Sequence, residues 1–296
     1  IAWSPDSTTL AVEGGFGWDS LLLYLRVDLT TAPRILEGER AIADIAYRPD
    51  GSQILLGSED GTVHLWNALP DGTLQERLFL QSHLTQSTAV AFHPDNQRFV
   101  VAGDEALVSN SVNQSNAMIL WDVDTVSQQS IFAGHLALVS EIAFSPDGSQ
   151  MASAAGEDLR IWDVNTGALI RTLDSLQAIS VAYSPNGQFI AVGTRIVPGV
   201  ATVGVVLLDA NTLDVVSTFT AQSGEIHSLA FSPDSTLLAT GSSSGSVYVW
   251  STQNDANLAI LGGSADTVSD LEFSPDGQLL AGITDGNIVY LWGVSQ

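Results

Sequence analysis

The sequence predicts an all-β fold, a seven-bladed β-propeller of four-stranded antiparallel blades filling residues 1–296 as a single domain, on three observations. One phrase recurs seven times at intervals of 39 to 52 residues: an apolar residue, a small residue or Glu, an aromatic, any residue, Pro, then Asp or Asn. Each copy is followed by runs of strand-like alternation, the third of which usually ends on Trp. Finally, four antiparallel strands cannot bury both sheet faces alone, so such units must stack, and a ring of them removes most exposed edges.

The copies are IAWSPD at Ile1, IAYRPD at Ile45, VAFHPD at Val90, IAFSPD at Ile142, VAYSPN at Val181, LAFSPD at Leu229 and LEFSPD at Leu271. In each, the apolar and aromatic pair ends an inner strand and Pro ends its hydrogen-bond ladder. Asp with a following Gly, Ser or Asn then suits a tight turn. A second strand follows, as in 52–56 or 237–240. Third strands are read at Val63–Trp66, Met118–Trp121, Leu159–Trp162, Val247–Trp250 and Val289–Trp292, with Tyr24 and Leu208 in place of Trp in the first and fifth units. A short fourth strand such as Leu169–Leu173 completes a unit. The chain opens at an innermost strand and stops four residues after Trp292. It is therefore expected to be an excerpt with six four-stranded blades and a three-stranded last one, the missing strand lying upstream or downstream.

The third strands ending in Trp121-Asp122 and Trp162-Asp163, the Gly134-His135 before one inner strand and the repeated turn phrase resemble the WD-repeat family, especially its bacterial members. The resemblance covers the whole chain. It implies the propeller fold, a usual role in protein binding, and a buried network of His, Ser or Thr, Asp and Trp in each blade. By alignment Asp60 and Trp66 retain two members, Thr240 and Trp250 two, and His135 and Trp162 two. No unit shows all four, so the blades are expected to be held mainly by apolar packing and ladders, with Trp121 and Trp292, like the other tryptophans, His135 and Asp60, in structural roles.

Composition narrows the function. The net charge of −24 comes from an ordinary 33 acidic residues set against nine arginines and no lysine. Such a surface repels phosphate backbones and anionic headgroups, so nucleic-acid binding is not expected. No apolar run approaches the roughly 20 residues of a membrane helix, so membrane insertion is not expected either. Cysteine is absent, which excludes disulfides, thiolate metal sites and a cysteine nucleophile. A secreted or cell-surface origin is favoured over a cytoplasmic one.

Loops on a rigid scaffold carry most binding. The turn between second and third strands lengthens in three units, at 13–19, 104–117 and 194–203, and all three emerge on the face that bears the links between blades. Phe16, Trp18, Leu107, Val108, Arg195, Ile196 and Val197 sit there, and His227 starts an inner strand nearby; together they are the expected partner-binding residues. Exposed apolar groups of this kind mark interfaces, although they also tuck back onto their own blades. The longer link at 67–75 reads as an ordinary turn.

Other chemistry is sparse. His83 and His135 stand where the family uses His structurally, His64 points out of an alternating strand, and His93 takes the Ser position of the turn phrase. Asp122-Val-Asp124 reads as a strand-end turn, lacking the third oxygen and the Gly of a calcium loop. Asn113-Gln-Ser115 matches a glycosylation acceptor. No nucleophile elbow, phosphate loop or zinc motif occurs, so no catalytic residue, metal or cofactor is expected. The reading is a non-catalytic scaffold for a protein or peptide. The alternatives are a ligand-binding or enzymatic propeller using its channel, which the apolar inner-strand phrases disfavour, or a structural component of a surface assembly.

Overall fold

In the computed structural model the repeat phrase becomes a repeated sheet, with its proline at the turn between the first and second strands. The structure describes the chain outside residues 14–19, 26–33, 38–41, 70–72, 82–83, 106–115, 175, 197–203, 221, 263–264 and 295–296; at 20–25, 34–37, 79, 81, 84–87 and 105 it describes the backbone alone. The first sheet is β1 (Ala2–Trp3), β2 (Thr9–Glu13), β3 (Ser20–Leu25) and β4 (Arg34–Glu37). The second is β5 (Ile42–Tyr47), β6 (Gln53–Ser58), β7 (Thr62–Ala68) and β8 (Leu74–Gln81), and the third β9 (Leu84–Phe92), β10 (Arg98–Glu105), β11 (Ala117–Asp122) and β12 (Gln128–Phe132). The fourth comprises β13 (Glu141–Phe144), β14 (Gln150–Ala154), β15 (Leu159–Asp163) and β16 (Leu169–Leu173). The fifth comprises β17 (Ala178–Tyr183), β18 (Phe189–Thr194), β19 (Val205–Asp209) and β20 (Val215–Phe219). The sixth holds β21 (Ile226–Phe231), β22 (Leu237–Ser242), β23 (Val247–Ser251) and β24 (Asn257–Leu261). The last holds β25 (Val268–Phe273), β26 (Leu279–Thr284) and β27 (Val289–Gly293), with no fourth strand among the described residues. Among those residues no helix is long and apolar enough to cross a membrane.

The backbone groups into two compact units, Ile1–Val139 with Asn165–Ala168, and Ser140–Val164 with Leu169–Gln296. Within the first, the inner strands β1, β5 and β9 lie in succession, and Phe99, fully buried, packs with Leu55, Val63, Leu65, Val101 and Trp121. Within the second, β13, β17, β21 and β25 do the same, and Leu208, standing where other units have Trp, is buried among Leu159, Val181, Ile190 and Val192. Each such side chain contributes about 1.5–3 kcal/mol by leaving water.

His64 corrects the reading from alternation. It is 7% exposed, with Nδ1 at 3.3 Å from Glu76 Oε1 and Nε2 at 3.4 Å from Thr62 Oγ1. A middle strand of a stacked sheet has neighbours on both faces, so alternation does not mark a wet side.

The turn phrase has a repeated bonding pattern. Ser145 Oγ donates to Asp147 Oδ1 at 2.7 Å and accepts from Gln150 N at 2.9 Å, while Asp147 Oδ1 also accepts from Ser149 N at 2.9 Å. Ser232 and Asp234, Ser274 and Asp276, and Ser4 and Asp6 repeat it, and in the fifth sheet Asn186 accepts in the same way from Ser184 and Gln188. The residue two after Pro is left-handed in every copy, whether glycine or, as at Ser7 (φ 61°), Asn96 (φ 62°) and Ser235 (φ 63°), not. These donors, the Ser145 hydroxyl first for Asp147 and the Ser232 hydroxyl first for Asp234, hold the turn carboxyls below their ordinary range. In the third sheet His93 fills the turn role expected of it: it is buried, and its Nδ1 lies 3.1 Å from Asp95 N and 2.9 Å from Asp95 Oδ1. Asp122 Oδ1 likewise only caps a turn, accepting from Asp124 N and from Thr125 N and Oγ1.

The tryptophans divide. Trp162 Nε1 donates to Ser153 Oγ at 2.8 Å. Trp250 Nε1 donates to Thr240 Oγ1 at 3.1 Å, which donates to Gln222 Oε1, and Gln222 Nε2 continues to Thr240 O and Ser246 O at 3.1 and 2.8 Å. The buried indole N–H groups of Trp66 and Trp121 have no hydrogen-bond partner. Asp60 Oδ1 accepts from Thr62 N and Oγ1 across its own turn, and Leu56 stands where Thr240 and Ser153 supply a hydroxyl to Trp250 and Trp162. Trp292 stacks on Tyr290, with ring centroids 5.5 Å apart.

Candidate functional site

Of the residues expected to bind a partner, Phe16, Trp18, Leu107, Val108 and Val197 lie outside the described residues, as do His83 and the Asn113–Ser115 triplet. The other three, Arg195, Ile196 and His227, belong to one assembly at the link-bearing end of the fifth and sixth sheets.

Its base is the end of β18. Thr194 is fully buried: its N–H and Oγ1 donate to Gly204 O at 3.1 and 3.0 Å, and Oγ1 accepts from Gly204 N at 3.1 Å. Gly204 has φ 138°, and a Cβ there would stand 2.1 Å from Phe219 O, so no other residue fits. This clasp starts and ends the lengthened turn, holding its ends together. Beyond it Arg195 N donates to Gln177 O at 3.0 Å and Ile196 N to Glu225 Oε1 at 3.2 Å, tying the turn to the links that enter the fifth and sixth sheets. Glu225 is held in turn: its N–H donates to Ser243 Oγ at 3.0 Å, and its carbonyl accepts from Ser243 N at 2.9 Å. Its second carboxylate oxygen lies 3.7 Å from His227 Nε2.

The result is an anchored backbone that presents Ile196, 47% exposed, beside an exposed Arg195 and the partly exposed Glu225–His227 pair. An apolar tip with charges of both signs around it suits recognition of a mixed peptide or protein surface. Among the described residues no group of three or more His, Asp or Glu gathers as metal ligands would.

Sequence reasoning missed Glu225, the residue that joins this assembly. The signal was present: Glu225 and His227 are two apart at the entry of an inner strand, and residues two apart share a strand face. It also missed Gln222, which lies as far before its repeat proline as His135 does before Pro146 and so occupies the same link position. His135 itself is 2% exposed, and its carbonyl accepts from Asn116 Nδ2 at 3.5 Å. The inner strands carry polar groups as well, and these bond to the next sheet. Glu141 Oε2 accepts from Val181 N, Ser180 Oγ donates to Ile226 O, and Ser228 Oγ donates to Asp270 Oδ1 at 3.3 Å.

Comparison with known proteins agrees with the repeat. The family model described as "WD domain, G-beta repeat" matches residues 31–67, 126–163, 213–251 and 256–293, together just over half of the chain. Pre-mRNA-processing factor 19 of Oryza sativa subsp. japonica is 24% identical over 274 residues, covering 78% of this chain and 49% of that protein. Telomerase protein component 1 of Mus musculus is 25% identical over 247 residues, 80% of this chain and 9% of that protein. Protein groucho of Drosophila melanogaster is 28% identical over 160 residues, 53% and 20% of the two chains. The match thus spans less than half the length of each of these relatives.

Proposed function

The chain belongs to the WD-repeat family, and on that premise we propose that it is a non-catalytic protein-interaction scaffold. In this reading residues 1–296 form one domain of seven blades about a common axis, and the end bearing the links between blades is presented to a protein or peptide partner. The likeness of the repeat phrase to bacterial members belongs to the same proposal, since the relatives above come from plants and animals.

The observation that supports it most is the clasped turn at Thr194 and Gly204, which holds Ile196 out to solvent on a backbone fixed by Gln177 and Glu225. An apolar side chain kept exposed at the mouth of a tied loop supports binding more than packing. The use of Glu141, Ser180 and Ser228 in bonds between successive sheets supports a structural over a catalytic role for the inner strands. The charge of −24 without lysine supports a partner other than nucleic acid.

The test is a benzophenone-bearing residue at Ile196 or, as control, at Asp276 in the turn at the other end of its sheet, irradiated in extract of the native source. The expected result is a discrete protein adduct from position 196 that Glu225→Ala or His227→Ala weakens. Adducts formed from the turn end alone would overturn the assignment of the face.

A further inference from the structure

A groove of about 600 Å³ opens between the first and second sheets, at the end that carries their first-to-second strand turns, and is lined by Pro5, Asp6, Tyr47, Asp50, Leu69 and Leu74 among others. That end is opposite, within a sheet, to the end bearing the second-to-third strand turns.

Its origin is local. After the third strand of the second to seventh sheets, one residue turns its N–H back onto the first turn of the same sheet. Val123, Val164, Ala210 and Thr252 do so to Gln97, Ser149, Gln188 and Thr236, and each side chain is buried there as a plug. In the second sheet Ala68 N makes the same bond, to Ser52 O at 2.8 Å, but Ala68 is only partly buried. The link that follows is longer, closed by Leu69 N donating to Thr73 O at 2.9 Å, and it leaves Leu69 39% exposed. The corner that a buried side chain fills in those sheets is lined here by Pro5, Ala68, Leu69 and Leu74.

Its lips are acidic. Asp6 gives Oδ1 to its own turn, accepting from Ser4 Oγ and from Thr8 N and Oγ1, and among the described residues its Oδ2 has no partner. Asp50 gives Oδ1 to Ser52 N and Oγ, while Oδ2 lies 3.4 Å from Arg48 Nε. Arg48 offsets part of that charge but turns away from the groove, donating to Gln53 Oε1 and to Asn96 O. The Ser4 hydroxyl first, then the Thr8 hydroxyl, hold Asp6 below the ordinary carboxyl range, so it is charged at neutral pH. The chain has no lysine and Arg48 is engaged, so among the described residues no cation answers these carboxylates from within the groove.

We propose that this groove binds a basic segment of a partner protein, an extended stretch in which arginine or lysine alternates with apolar residues. The cationic heads meet Asp6 and Asp50, and the apolar side chains lie on Leu69, Leu74 and Pro5. This goes beyond the scaffold reading, because it concerns the other end of the sheets and names the chemistry of the ligand.

The test is fluorescence anisotropy of the chain with a short labelled peptide of alternating arginine and leucine, beside the same peptide carrying citrulline for arginine. Asp6→Asn with Asp50→Asn is expected to weaken binding of the arginine peptide at least about tenfold, the loss of two charge-assisted contacts. The fold tolerates this change, since Asn186 already makes the same turn bonds in the fifth sheet. Leu69→Ser should also weaken it. The control pair Asp255→Asn with Asp285→Asn, exposed positions in the second unit, removes the same charge and should leave affinity within twofold. Equal weakening by both pairs would show attraction to overall charge only and overturn the site, as would equal binding of the citrulline peptide, or a dimer of the chain that Leu69→Glu dissolves. None of these variants touches the Ile196 end, so failure here and failure of the crosslinking test are separable.

Discussion

In the sixth sheet the indole of Trp250 begins a relay through Thr240 to Gln222 and the backbone; in the third, the indole of Trp121 sits in an apolar cluster with its buried N–H unpartnered. The two tryptophans sit in the same register, opposite Leu238 and Phe99. What separates them is one position on the second strand, Thr240 in one sheet and Val101 in the other. The same position is Ser153 in the fourth sheet, whose Trp162 is bonded, and Leu56 in the second, whose Trp66 is not. The tryptophan thus serves these sheets by its bulk. The polar relay is an addition that some sheets hold and others do without, and an unpaired buried N–H is the cost of lacking it.

The largest change should follow from breaking the better-connected sheet. Thr240→Val keeps the shape but leaves Trp250 Nε1 and Gln222 Oε1 without their shared partner, and should destabilise the chain by about 1–3 kcal/mol. Urea denaturation checks it, as a lower midpoint at unchanged slope; an unchanged midpoint would mean that the relay contributes nothing. The converse substitution sharpens the contrast. Val101→Thr places a hydroxyl where Trp121 Nε1 lacks an acceptor and should raise the midpoint, by about 1 kcal/mol at most. A drop would show that the hydroxyl's own desolvation outweighs the new bond.

The smallest effect concerns acid. The turn aspartates Asp6, Asp147 and Asp234 are held below their unfolded value of 3.8 chiefly by neighbouring serine hydroxyls. Their contribution is therefore fully present above that value and is lost as pH falls through the lower folded values. Ser232→Ala should flatten this acid dependence below about pH 4 while changing it little at neutral pH, as read from thermal unfolding at stepped pH.

Much of the architecture was legible because proline and aspartate punctuate it: each repeat Pro falls at the end of an inner strand, and the last sheet shows three strands among the described residues. His64 was misread because alternation reports a wet face only when a sheet has one. The candidate site was half legible. Ile196 and His227 were visible as an apolar residue in a long turn and a histidine at a strand entry, but their connection runs through Glu225, twenty-nine residues along the chain from Ile196. No local pattern encodes that contact. The groove was the least visible, since it depends on Ala68 and Leu69 staying partly exposed where other sheets bury a side chain, in a link that reads as an ordinary turn.

The turn phrase has a kinetic consequence. Its serine and aspartate bonds reach no further than five residues along the chain, and the second strand folds directly back on the first. Each hairpin can thus close before any sheet meets its neighbour, so the slow, long-range part of folding is reduced to docking preassembled pieces.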